Sequence, residues 1–334
     1  MKLHEAATFL SAFKNQRARE FVRQMMITNY TEAILEHHPK AHLIERRDIS
    51  EKCTLLCQTI FHKIGDIREN PHRLVPLIKK LARNNNRQAS FWFDEFDVAY
   101  ESYKHWGKLK KKSQQIIPYL QGNTYCDIGC GGGDLVAFLK QNHCHFKEYT
   151  GIDVLDWRTE NVKNMINFQL LDFSLPNTLS EKKYDMATCI AVLHHVGNTH
   201  KSQGLFLRNV RSLLSSTGRL LVEEDVILPL EEIASNDGYK MQAGHLAEEQ
   251  ANFSEYIGMN REDQRCILTI IDLMANSLFV GVQNMAFPFG FKSLVEWEIF
   301  FVECNYTVED VRINGFTKGM FNQSSHVLFI LSPN

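Results

Sequence analysis

Carboxylates and histidines stand at the ends of short apolar runs along this chain of 334 residues. Asp127 closes Tyr125-Cys126-Asp127, Asp153 closes the run from Glu148, and Asp172 follows Asn167 to Leu171. His194 and His195 follow Tyr184 to Leu193, and Glu223, Glu224 and Asp225 come at the end of a run from Arg219. An ionised carboxylate offers acceptors only, which suits the hydroxyls or amino groups of a ligand. An imidazole titrates near neutral pH and can take a proton without special tuning. Between Asp127 and Asp134 lie Gly129, Gly131, Gly132 and Gly133. Glycine there serves backbone angles that side chains resist, and it lets a ligand come against bare main chain. Together these residue types describe a polar ligand held at a glycine turn, with proton-accepting groups nearby.

Such groups need a frame that gathers strand ends. An apolar run, an acid, glycines, then Leu135, Val136, Phe138 and Leu139 at helical spacing predict strand, tight turn and helix. Strands are expected at 124–128, 148–153, 166–171 and 184–192, with helices at 133–142 and 202–214. Asp153 lies roughly 20 residues past the glycines, where a nucleotide fold sets the acid that receives ribose hydroxyls. Open parallel sheets bind ligands at the carboxyl ends of their strands. Ser216-Thr217-Gly218 reads as the end of the second helix, before a fifth strand over 219–226. Residues 228–290 read as an inserted helical lid, with helices from Leu230 to Ile233, His245 to Tyr256 and Arg265 to Val280. A helix from Ser293 to Cys304 and strands at 307–313 and 325–331 complete the chain. Residues 1–85 show helical apolar spacing and read as a separate region serving as cap, docking module or dimerisation surface; 86–334 form the second domain.

From about Asn123 to the C-terminus the chain resembles the class I S-adenosylmethionine-dependent methyltransferases of the small-molecule type. Asp127, Gly129, Gly131 and Gly133 match the family's acid-x-Gly-x-Gly-x-Gly motif; Asp153 and Asp172 match its acids after the second and third strands, and Leu193-His194-His195-Val196 the segment after its fourth. A dinucleotide dehydrogenase would carry G-x-G-x-x-G, with its third glycine one place later. The resemblance implies an α/β fold: a Rossmann-like, mostly parallel seven-stranded sheet with helices on both faces and the last strand antiparallel. It implies S-adenosyl-L-methionine as cofactor, held by Asp127, Gly129, Cys130, Gly131, Gly133, Asp153, Val154, Asp172, Phe173 and Ala191. Asp153 would accept the ribose hydroxyls and Asp172 the adenine amino group, while Asp127 would hold the turn or the methionine amino group. By the same resemblance Tyr100, Tyr103 and Trp106, in an aromatic stretch, line the acceptor, though aromatics at helical spacing more often serve plain packing; His245, on the lid, is a further candidate lining residue.

His194, His195 and Glu224 are the candidate catalytic residues, with Glu223, Asp225 and His245 as rivals for the base. The bland reading of His194 and His195 is that they shape the turn, one of them pointing into the fold. The expected reaction is methyl transfer to an oxygen or nitrogen of a small organic acceptor. Alternatives are a protein side chain docked through the N-terminal helices, or a cofactor-binding scaffold without activity.

Composition narrows the partners. With 37 basic and 39 acidic residues, a net charge of −2 gives no field for phosphate polymers, so nucleic acid is not expected as a partner. The tetrad Asn/Asp-Pro-Pro-Tyr/Phe of adenine- and amide-nitrogen methylases and the Pro-Cys nucleophile of cytosine-5 methylases are both missing from the sequence. No apolar stretch approaches ~20 residues, and Met1 to Glu5 lacks an apolar leader, so a cytoplasmic protein without a membrane span is expected. The eight cysteines are scattered like reduced core thiols. Cys53 and Cys57 lie one helical turn apart near His37, His38 and His62, but no second pair joins them, and no metal is expected. Lys108 to Lys112 reads as a solvated helix start.

Overall fold

The first predicted strand, turn and helix form as β1 (Thr124–Ile128) and α3 (Asp134–Asn142), and the rest of the sheet is assembled around them. The computed structural model describes residues 11–38, 41–43, 45–51, 54–55, 58, 61, 109–142, 146–176, 178, 182–273, 289–316 and 325–334. Tyr100, Tyr103, Trp106, Cys53, Cys57 and the expected linker at 83–87 lie outside these residues.

The chain falls into two compact units. One comprises 109–226, 289–314 and 326–334, and the other 1–108, 227–288 and 315–325. The N-terminal region and the insertion expected as a lid therefore share a unit, and the expected boundary at residue 85 lies outside the described residues.

The sheet unit begins with α2 (Leu109–Ile116) and β1, then α3, β2 (Glu148–Asp153), α4 (Glu160–Lys163), β3 (Asn167–Leu170) and β4 (Tyr184–Ile190). After α5 (His200–Arg211) comes β5 (Leu214–Asp225); α10 (Leu294–Glu303), β6 (Tyr306–Phe316) and β7 (Ser325–Pro333) close the chain. Strand order is β3-β2-β1-β4-β5-β7-β6. The pairs β1–β2, β1–β4, β2–β3 and β4–β5 are parallel, and β5–β7 is antiparallel. Apolar residues of β1, β4, β5 and β7 pack with α2 and α3 in a cluster that includes Ile116, Tyr125, Val136, Leu139, Met186, Leu221 and Ile330. Elsewhere in this unit Trp297 of α10 stacks on Phe301, which meets Phe329 edge-on. A capping box starts α10: the Ser293 side chain accepts from the Glu296 N–H, and the Glu296 carboxylate accepts from the Ser293 N–H at 2.7 Å.

One predicted boundary moves. Ser216-Thr217-Gly218 does not end a helix but lies inside β5, where the register passes from Tyr184↔Leu214 to Met186↔Arg219. The extra residues make a bulge, and a Cβ on Gly218 would sit 2.8 Å from the Tyr184 carbonyl oxygen.

The helical unit contains α1 (Gln16–His37), α6 (Leu230–Ala234), α7 (Asp237–Glu249), α8 (Ala251–Ile257) and α9 (Arg261–Leu273). The predicted helix 245–256 is two helices broken at Gln250, whose backbone leaves the helical region. The Asn15 side chain caps α1 and donates to Asp263 of α9 at 2.7 Å. Phe21, Phe253, Tyr256 and Phe316 form a ring cluster, and buried Gln264 bonds the backbone of Leu228, Tyr256 and Met259.

Candidate cofactor site at the carboxyl ends of β1 and β2

Gly129, Gly131 and Gly133 have φ of +70°, +52° and +72°, the left-handed region that favours glycine. Their surroundings differ. A Cβ on Gly129 would lie 2.4 Å from a Val192 methyl, and one on Gly133 would lie 2.7 Å from an Ile166 methyl. A Cβ on Gly131 would meet nothing within 4 Å. The outer two glycines thus let side chains pack against the turn, and the middle one turns bare backbone to open space.

The turn is held from β2. The Gly129 and Cys130 N–H groups donate to the Ile152 carbonyl at 2.8 and 3.1 Å. Asp153 Oδ2 accepts the Gly131 N–H at 2.8 Å, and its Oδ1 accepts the Leu155 N–H at 3.2 Å. The strand end and the glycine turn are therefore joined through this one half-buried carboxylate, and each of its oxygens has a further lone pair for a ligand hydroxyl. Cys130 Sγ fills the space over Gly151; burial pushes its thiol well above the ordinary range, so it is no nucleophile. Val154 is exposed beside Asp153.

Beneath the turn, Asp127 is buried. Thr188 Oγ1 donates to it at 2.6 Å, and the Tyr125 hydroxyl lies 2.7 Å from Thr188 Oγ1. Desolvation pushes the Asp127 carboxyl up to about 7 against the lowering effect of the Thr188 hydroxyl, and the charge of Asp153 adds to the rise. After β3, Asp172 Oδ1 accepts from the N–H and hydroxyl of Ser174 at 2.9 and 2.5 Å and so closes a local turn. Phe173 is buried edge-on against Phe206, and its carbonyl accepts from Asn209 at 2.9 Å.

After β4 the backbone turns at Ala191, whose φ of +55° is uncommon for a residue with a side chain. Glu224 organises the residues just beyond this turn. Its Oε1 accepts the Val192 and Leu193 N–H groups at 3.0 and 2.7 Å, and its Oε2 lies 2.5 Å from His194 Nδ1. Glu224 and His194 are fully buried, and the His194 ring stacks on Phe291 at 4.9 Å. Such a buried pair fits the shaping reading of these residues. His195 is half-buried, 4.1 Å from the His194 ring and edge-on to Phe289. His245 lies in the other unit, exposed on α7 and 3.5 Å from Glu249.

Alternation along β5 sends Glu223 and Asp225 to the face opposite Glu224. There Glu223 pairs with Lys112 of α2, and His326 Nδ1 lies 3.0 Å from Asp225. All four side chains are buried. Lys112 is therefore no solvated helix start, which corrects the reading of the basic run at that residue. Sequence reasoning also missed Val192 and His326. A charge that falls on the apolar stripe of α2, with Ser113 and Ile116, was the available signal for Lys112; the other two need the strand register.

The frame is thus a Rossmann-like α/β sheet with a glycine turn and acids at its strand ends. Residues 67–257, more than half of the chain, match the family described as a methyltransferase domain, and the chain belongs to that family. No curated protein is significantly similar in sequence. Similar solved structures include an S-adenosylmethionine-dependent methyltransferase from Methanosarcina mazei (16% identity, 66% of this chain and 96% of that one, TM-score 0.41). Another is from Clostridium acetobutylicum (11% identity, 75% and 100%, TM-score 0.41). A third is from Anabaena variabilis (15% identity, 68% and 84%, TM-score 0.42). The family rests on the domain match, not on these distant likenesses.

Proposed function

We propose that this chain uses S-adenosyl-L-methionine to methylate an oxygen or nitrogen of a small organic acceptor. The observation that carries the reading is the opening at Gly131: left-handed backbone faces space that a Cβ would enter, beside the carboxylate of Asp153. A nucleoside with an amino-acid tail fits that donor set. Asp153 takes the ribose hydroxyls, the bare turn at Gly129 to Gly133 lies along the tail, and Asp127 below the turn favours the cationic amino group. Asp172 and Phe173 stand at the adenine side, with Cys130, Val154 and Ala191 bordering the cleft.

When bound, the cofactor supplies a methyl already activated on a sulfonium, so the protein need not contribute a nucleophile. Positioning can then account for much of the acceleration, up to about 7–11 kcal/mol in well-oriented systems. His195 is the candidate to accept the acceptor's proton, since it is the half-buried member of the histidine pair.

Calorimetric titration with S-adenosylhomocysteine tests the site. Asp153→Ala and Gly131→Arg are expected to abolish binding while circular dichroism stays native; unchanged affinity in both would defeat the assignment. Incubation with methyl-labelled cofactor and a lysate divided at a molecular-weight cutoff tests the acceptor. Label in the small fraction supports the reading, and label confined to large material overturns it.

A further inference from the structure

We propose that Glu224, which reaches no open surface, is a positioning residue for the cofactor turn, acting through Val192. The inference rests on the proposed function but not on the acceptor.

Glu224 sits on β5, and β4 separates that strand from β1, which carries the glycine turn. A single oxygen, Oε1, gathers the N–H groups of Val192 and Leu193, and this fixes the backbone just after the left-handed Ala191. Fixing that backbone aims the Val192 side chain, whose methyl occupies the place that a Cβ on Gly129 would take, 2.4 Å from its ideal position. Gly129 in turn is tied to Ile152 through its N–H. The chain of contact therefore runs from Glu224 to the Val192 main chain, to the Val192 side chain, to Gly129 and so to the turn that presents Gly131.

Other anchors of this segment hold other groups than the two N–H groups on Glu224: the Ala191 N–H donates to the Glu223 carbonyl at 2.8 Å. Gln203 Nε2 donates to the Leu193 carbonyl at 3.0 Å, and the Gly290 N–H donates to the His194 carbonyl at 2.9 Å. Without Glu224 the segment stays attached, but the Val192 N–H and the buried Leu193 N–H lose their acceptor and Val192 loses its register. The second oxygen, Oε2, holds His194 Nδ1 and thereby the Phe291–His194 stack.

The division of labour between the two oxygens makes a sharp test. A glutamine at 224 keeps an oxygen for both N–H groups and turns an amide nitrogen toward His194, so Glu224→Gln should preserve the relay while reversing the imidazole tautomer. Glu224→Ala removes both functions. In the full chain, S-adenosylhomocysteine affinity is expected to fall tenfold or more in Glu224→Ala, to change less than threefold in Glu224→Gln, and to fall in Val192→Ala. The Glu224→Ala/Val192→Ala double variant should be no weaker than the weaker single. Amide hydrogen exchange at Gly129 and Cys130 should quicken in Glu224→Ala but not in Glu224→Gln.

Unchanged affinity in Glu224→Ala overturns the proposal, as does a fully additive double variant, which would mean that Glu224 and Val192 act independently. A lowered Tm with native affinity and native exchange at Gly129 would mark Glu224 as structural only. Failure of the wild type itself to bind S-adenosylhomocysteine would instead sink the proposed function, and the positioning role with it.

Discussion

Asp127 is held in the folded chain as a carboxyl pushed up to about 7, against an ordinary value of 3.8. Between these two values the unfolded chain has released the proton that the folded chain still holds. Stability should therefore fall as pH rises from about 4 to 7 and level off above. Asp127→Asn keeps an oxygen for the Thr188 hydroxyl and removes the charge. It is expected to abolish that slope and to gain on the order of 1–3 kcal/mol at pH 8, read from urea unfolding at several pH values. Affinity for S-adenosylmethionine should move the other way. A cationic amino group beside Asp127 favours the ionised form, so binding should release a proton and strengthen between pH 6 and 8. Calorimetry in buffers of different ionisation enthalpy reads that proton directly, and Asp127→Asn should lose the effect. The acid and its place after an apolar run were legible in the sequence. Its burial under Thr188 was not, because that depends on which strand lies beside β1.

Single elements show the same limit. The short runs of β1 and β2, each ending at or next to an acid, gave their bounds to the residue, since runs flanked by glycine and polar residues have few alternatives. The start of β5 was misjudged because Ser-Thr-Gly is a turn signal taken alone, and only pairing with Tyr184 makes it a bulge. Lys112 was misread because a lysine among lysines suggests solvent, whereas its helix turns this one onto Glu223. Removing one member of a buried ion pair leaves an uncompensated charge. Lys112→Met should thus cost about 3–5 kcal/mol in chemical unfolding, and Lys112→Met/Glu223→Leu should recover much of it. At the start of α10, Ser293→Ala breaks the capping box and should cost about 1 kcal/mol by the same measurement.

At the scale of the whole molecule, the sequence told less. Motifs along one stretch reveal a sheet with its turn, but which distant helices share a core depends on contacts that no local pattern records. Here helices from the N-terminus and from the insertion share a unit, with α1 against α9. Among the described residues no helix is long and apolar enough to cross a membrane. If the sheet unit melts as its own transition, S-adenosylhomocysteine at about 100 times its dissociation constant should stabilise that transition by about 2.7 kcal/mol. Differential scanning calorimetry would show one peak moving and the other unmoved; a single peak that moves as a whole would mean the units unfold together.

The Val192 methyl lodged where Gly129 lacks a Cβ ties two separate stretches of sequence into one inheritance. A chimera that took its glycine turn from one relative and its post-β4 segment from another would join a knob and a socket cut for different partners. Grafts between members of this family should therefore succeed when both pieces travel together, and fail when either travels alone.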